Sequence, residues 1–280
     1  MINNFSDKVL NNFEGQSCLQ KEEIILAKEL KWLLETQLPN ALDDLKKGLK
    51  KCEAIMKSPE HDETSTLAIS STNSDALKGY ITLDGSDIIK GELQAKLPNY
   101  NRGNLVKLII NSKKPYFIEQ LIDAQNYITL ALDVLKDSNK VYTKENALEL
   151  LETVFKYLST SRSVLNYANQ EKLFPYKICD PQMFSSNLPE DLVIQFHVEG
   201  SFIVNSIYAL QFHKSSHPKH GILGTSKQPP PKVFQYKDKY VCILDEVFVK
   251  SLDPKLAEVM ECLSRLERDC LSWKGKIELF

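Results

Sequence analysis

Three histidines, His213, His217 and His220, lie close together in the chain, and with Cys179 or Cys242 they form the one set of nitrogen and sulfur donors that could hold zinc. A structural zinc site draws on paired cysteines such as Cys-x-x-Cys, and a hydrolytic one on His-Glu-x-x-His. Neither pattern occurs, so the histidines are expected in a solvated loop, with no metal and no cofactor assigned. Gly221-Ile222-Leu223-Gly224-Thr225-Ser226-Lys227 resembles a phosphate loop in composition. Its spacing is wrong, however, and Gln228 followed by Pro229, Pro230 and Pro231 forbids the helix whose N-terminus would hold phosphate. No Gly-x-Ser-x-Gly elbow and no Gly-x-Gly-x-x-Gly fingerprint is present. Lys46, Lys47, Lys50 and Lys51 could meet an anionic surface, but Asp43 and Asp44 precede them at helical spacing and neutralise much of that charge. No catalytic residue is assigned. A metal-dependent enzyme with a scattered site and a peripheral anionic-membrane protein are the alternative readings.

The elements that carry these residues follow from periodicity. Leu30, Leu34, Leu38, Leu42, Leu45, Leu49 and Cys52 recur at three- and four-residue steps, the stripe of a core-facing helix, with Pro39 expected to kink it and Gly48 to mark its fading end. Residues 57–74 are rich in Ser, Thr, Glu and Asp and read as a flexible connector. Leu77 to Leu83 and Ile89 to Leu97 then alternate apolar and polar about Asp84-Gly85, a hairpin with one wet face, and Leu105 to Ile110 makes a third strand. Ile118 to Leu135 and Leu148 to Leu165 return to helical spacing as an antiparallel pair, with Gln125 and Arg162 as polar members of the seam. Strands at 192–198, 202–212, 233–236 and 240–249 follow. Asp253 caps a last helix with Pro254 at its first position.

The fold class expected is α+β, a discontinuous antiparallel four-helix bundle plus a mainly antiparallel β domain. The bundle comprises 20–56 with 116–170 and 251–275, and the β domain 75–112 with 190–250. A net charge of −2 argues against nucleic acid. The start lacks signal-peptide features and no apolar run is long enough to span a membrane. Cys18, Cys52, Cys179, Cys242, Cys262 and Cys270 are unpaired in spacing, as expected in a reducing cytoplasm. The exposed aromatic candidates for docking a partner are Tyr80, Phe174, Phe184 and Tyr236, each also a plausible core residue.

Several ordered blocks carry a family resemblance. They are Glu29-Leu30-Lys31-Trp32-Leu33-Leu34, Leu77-Lys78-Gly79-Tyr80-Ile81-Thr82-Leu83-Asp84-Gly85, Lys96-Leu97-Pro98, Asp123-Ala124-Gln125-Asn126, Met183-Phe184 and Leu188-Pro189-Glu190-Asp191-Leu192. From about Glu29 onward the chain resembles the Rogdi leucine-zipper family, which includes the smaller fungal subunit of the RAVE complex. It departs from the pattern in Pro39 and in a longer N-terminal stretch. The resemblance implies a helical bundle beside a β domain and no catalytic activity. It further implies a scaffold role with a large propeller-containing partner of the rabconnectin or Dmx-like type. Together they would promote assembly of the vacuolar proton-ATPase from its peripheral and membrane sectors, and so organelle acidification. The place of action implied is the cytoplasm, with recruitment to vacuolar, endosomal or synaptic-vesicle membranes.

Overall fold

A computed structural model of the chain describes residues 20–57, 64–71, 75–136, 142–186, 188–214 and 232–280. The first element is a continuous helical run over 20–56. It passes through a π turn at Leu33–Gln37 into helix α1 (Leu38–Met56). In a regular helix the ring of Pro39 would press on the carbonyl of Glu35. The π turn, in which the Leu38 N–H donates to the Leu33 carbonyl, widens the helix one turn earlier and relieves that clash. The disturbance predicted at Pro39 therefore takes the form of one wide turn. Gly48 does not end the helix, which runs on to Met56. It serves packing instead, because a Cβ there would lie 2.6 Å from Cδ2 of the buried Leu266.

Three further helices follow the expected periods: α2 (Glu119–Lys136), α3 (Lys144–Asn166) and α4 (Pro254–Glu278). Asp253 caps α4 as its sequence position requires, its Oδ1 accepting from the Lys255 N–H at 2.9 Å. By compactness the chain divides into two units. The first comprises the described residues of Met1–Lys51, Ile128–Ser159 and Leu263–Phe280. It is helical, with a core of Leu38, Leu42, Leu45, Leu49, Leu132, Leu151, Leu158, Leu263 and Leu266. On its surface Lys274 of α4 pairs with Glu152 of α3.

The second unit, Cys52–Tyr127 with Thr160–Cys262, holds the strands. One antiparallel sheet is ordered β1 (Ser65–Ser70), β2 (Leu77–Asp84), β3 (Asp87–Lys96), β4 (Leu105–Ile109), with β5 (Tyr116–Phe117) pairing on β3. The other is ordered β6 (Leu192–Glu199), β7 (Phe202–His213), β9 (Lys239–Leu252), β8 (Val233–Tyr236). Helices and antiparallel strands are thus segregated along the chain, and the fold class is α+β.

Two strand readings need correction. The connector expected over 57–74 contains β1, because Leu67 and Ile69 alternate with more exposed neighbours and are buried while the strand pairs antiparallel with β2. The alternation on β3 also slips. Thr82 faces Lys90 while Leu83 faces Ile88, so Ile89 bulges out and Ile88 takes the core position assigned to it.

Helices reach the sheets within this unit through side chains that end on backbone. Gln120 of α2 donates from Nε2 to the Val164 carbonyl at 2.6 Å and the Val198 carbonyl at 2.8 Å, and its Oε1 accepts from the Val198 N–H at 2.8 Å. One amide thereby ties α2, the end of α3 and β6. Gln120→Met keeps the shape but leaves those backbone groups without their partner. It is expected to cost about 2 to 3 kcal/mol in urea unfolding, well above the roughly 1 kcal/mol of a single hydrogen bond.

Candidate interaction surface

Of the donors that could bind metal, only His213, Cys179 and Cys242 lie among the described residues. His213 ends β7, while His217, His220 and residues 221–227 lie outside the described residues. Cys242 is buried on β9, and Cys179 is half-buried with its thiol pKa raised, chiefly by burial. Among the described residues no group of three or more His, Cys, Asp or Glu is placed to hold a metal ion. Of the lysines at 46–51 within α1, Lys47 is held by Asp43 at 3.0 Å and Asp44 at 3.1 Å, the neutralisation expected from their spacing. Gln125, read as a seam residue, is half-buried and donates to the Met56 carbonyl at 2.8 Å.

The four aromatic candidates separate sharply. Tyr236 is 2% exposed and packs with Val193, Leu210 and Val241. Its hydroxyl oxygen accepts from the Cys179 N–H at 3.1 Å. Phe174 stacks on Tyr208 at 4.9 Å between ring centres and lies 5.4 Å from Tyr236, and its N–H donates to Gln195 Oε1 at 2.8 Å. Phe184 is 2% exposed and its backbone bridges to Ile110. These three rings fasten the irregular 170–186 segment onto the sheets. Phe184 and Tyr236 are therefore core residues, and Phe174 is committed to the same cluster. A ring that seals a loop over a sheet carries the same sequence signal as one that waits for a partner. Tyr80 alone of the four is open, at 44% exposure on β2.

Tyr80 stands on the outward face of the first sheet, where Ala68 and Glu92 flank it in register and Ile109 follows on β4. Lys78, Lys90, Lys96 and Lys107 occupy further outward positions of the same three strands, all exposed. The sequence contained this signal for Lys78, Lys90 and Lys96, which belong to the polar half of the hairpin's alternation. A second exposed cluster lies on the other sheet: Phe202 pairs directly with Leu252, and Phe248 follows two outward positions along β9. Between Phe248 and Leu252, Lys250 pairs with Glu199, which also lies 3.2 Å from His197 Nε2.

His197 is mostly buried, with Nδ1 lacking a hydrogen-bond partner among the described residues, and burial lowers its pKa against the opposing pull of Glu199. The folded state thus resists a proton that the unfolded chain takes up near its ordinary value of about 6.5. Stability is full above that value and falls as pH drops from it toward the lower folded pKa. Urea midpoints between pH 7.5 and 5.5 are expected to fall more steeply for the native chain than for His197→Gln. Equal slopes would remove His197 from the account. The carboxylates lowered by lysine partners, Glu119, Asp180 and Glu199, lose their contribution only in the more acidic range.

Residues 29–241 match the family model described as Rogdi leucine zipper containing protein. The chain is 22% identical to the protein rogdi homolog of Mus musculus over 270 residues, covering 92% of this chain and 93% of that protein. The human homolog matches to the same extent. It is also similar to the Saccharomyces cerevisiae protein called regulator of V-ATPase in vacuolar membrane protein 2, at 23% identity over 154 residues, covering 53% of this chain and 44% of that one.

Proposed function

The chain belongs to the Rogdi leucine zipper family, and from this we propose that it is a non-catalytic regulator of V-ATPase assembly, acting as a scaffold or adaptor. The observation that carries the reading is the match over most of the chain to a family whose yeast relatives, in Saccharomyces cerevisiae and Schizosaccharomyces pombe, are named regulators of V-ATPase. In this proposal the partners are a large propeller-containing protein of the rabconnectin or Dmx-like type and the pump's peripheral subunits. The protein works from the cytoplasm and is recruited to vacuolar, endosomal or synaptic-vesicle membranes. No helix of the described residues is long and apolar enough to cross a membrane, which fits recruitment through protein contacts.

The mechanical part of the proposal is a four-helix bundle that stiffens the molecule and a β domain that presents the docking residues. Successive helix contacts support it: α1 meets α4 at Gly48 and Leu266, and α4 meets α3 at Lys274 and Glu152. Next, α3 meets α2 where Ser161 Oγ donates to the Ala124 carbonyl at 3.0 Å, and α2 returns to α1 at Gln125 and Met56. The domains proposed are 20–56 with 116–170 and 251–275 for the bundle, and 75–112 with 190–250 for the strands. Exposed apolar side chains such as Tyr80, Phe202 and Phe248 supply buried area on docking.

The test is removal of the gene followed by measurement of peripheral pump sector on isolated organelle membranes and of lumenal pH. The expected result is less peripheral sector on membranes at unchanged total subunit level, a more alkaline lumen, and recovery on re-expression. Normal sector assembly without the protein would refute the role.

A further inference from the structure

Resting on the scaffold reading above, we propose that the outward face of the β1–β4 sheet, to which Tyr80 belongs, is a docking surface built for an acidic polypeptide segment that seats an apolar side chain beside Tyr80. The ladder registers lay the face out in rows. Ser70, Lys78, Gln94 and Lys107 form one row, Ala68, Tyr80, Glu92 and Ile109 the next, and Thr66, Thr82 and Lys90 a third, while Lys96 pairs with Leu105 at the edge. With strands about 4.8 Å apart and about 3.4 Å per residue, Lys78 and Lys107 root about 10 Å apart, and Lys90 and Lys96 about 20 Å apart along β3.

Cations outnumber anions on this face, which also carries Asp84 and Glu92. Glu92 answers Lys107 at 2.8 Å and Asp75 answers Lys78. Lys90 and Lys96 form no ion pair among the described residues. Arg102, exposed at the β3–β4 connection beyond Lys96 and likewise without an ion pair among the described residues, adds a further cation at that end. The connection itself is pinned, with Asn99 donating to Asp245 from its N–H at 2.6 Å and from Nδ2 at 2.8 Å, and Tyr100 donating to Asp191 at 3.0 Å. A basic face on a chain of net charge −2 orients the molecule toward an anionic partner rather than attracting polyanions at large.

The layout favours a polypeptide over a lipid surface. Membrane-seated proteins sink apolar side chains about 5 to 10 Å below the headgroups. Here Tyr80, Leu105 and Ile109 are only 38% to 56% exposed and sit within strands among the lysines. Each strand step also turns the face by about 20°, and an extended segment can follow that twist. An apolar centre with a charged rim is the composition of a protein contact.

The probe is a fluorescent peptide of alternating Glu and Leu, titrated into the full chain at low and high salt beside a Lys-Leu counterpart and vesicles of phosphatidylserine and phosphatidylcholine. Lys90→Glu/Lys96→Glu alters two exposed lysines that form no ion pair among the described residues, and circular dichroism and a thermal midpoint check its fold. The expected results are binding of the acidic peptide alone, weakened by salt, by about tenfold in the double variant and several-fold in Tyr80→Ala. Acidic-peptide binding that both variants leave unchanged, or none at all, overturns the proposal. Vesicle binding lost in the double variant, without peptide binding, overturns it in favour of a membrane surface.

Discussion

Gly79→Ala is expected to lower stability by about 3 to 5 kcal/mol, enough to leave the sheet-bearing unit marginal under native conditions. Gly79 lies in β2 between Ile69 of β1 and Leu93 of β3, with a φ of +150° that L side chains rarely adopt. An added Cβ would overlap the backbone carbonyl oxygen of Glu92 and stand 2.9 Å from the Leu93 Cα. A flexible side chain could turn away from such an intruder. Backbone held by ladders on both sides cannot, so the two strands must separate and lose hydrogen bonds as well as packing. Gly275→Ala is the contrast. None of the described residues lies within 4 Å of its new Cβ and the residue sits in α4, so the change is neutral or stabilising by up to about 1 kcal/mol. Urea unfolding of both variants checks the pair. Near-native stability in Gly79→Ala would mean that β2 and β3 do not approach as closely there as the structure has them.

What the sequence made legible follows from repetition. The helices α1 to α4 declare themselves through many leucines at helical spacing, and the β2–β3 and β6–β7 hairpins through sustained alternation about glycine turns. Each such signal sums over many residues. What stayed illegible rests on one or two. β1 has only Leu67 and Ile69 to mark it within a polar stretch, and the bulge at Ile89 depends on cross-strand register, which no single strand encodes. Gln120 is a polar residue at a helix start, and its importance comes from the Val164 and Val198 backbone groups that tertiary packing brings to it. Two of the docking candidates are buried, for a related reason. Phe184 and Tyr236 are aromatic in an irregular context, and only the fold decides whether such rings close a loop or face solvent. Tyr80 was readable as exposed because its strand alternates, and the same alternation contained the lysines around it.

Leu263→Asp is expected to abolish folding of the helical unit at neutral pH. Leu263 is fully buried in α4, one helical turn from Val259 and Glu267 and beside the Leu266 that packs on Gly48. Two losses combine. Removing the leucine side chain from a filled core costs about 2 to 5 kcal/mol, and a carboxylate placed there without a partner adds several more unless it takes up a proton. Their sum meets or exceeds the whole stability of an ordinary domain. Leu263→Ala carries the first loss and not the second, so it should fold with a lowered urea midpoint and no new pH dependence. Leu263→Asp should regain helical circular dichroism as pH falls toward 5, where protonation removes the charge, because burial raises a carboxyl pKa. The direction is opposite to that expected from His197, whose burial makes the native chain less stable over the same range. A Leu263→Asp protein that stayed fully folded at pH 7.5 and failed only in partner binding would place Leu263 on a surface instead of in the helical core.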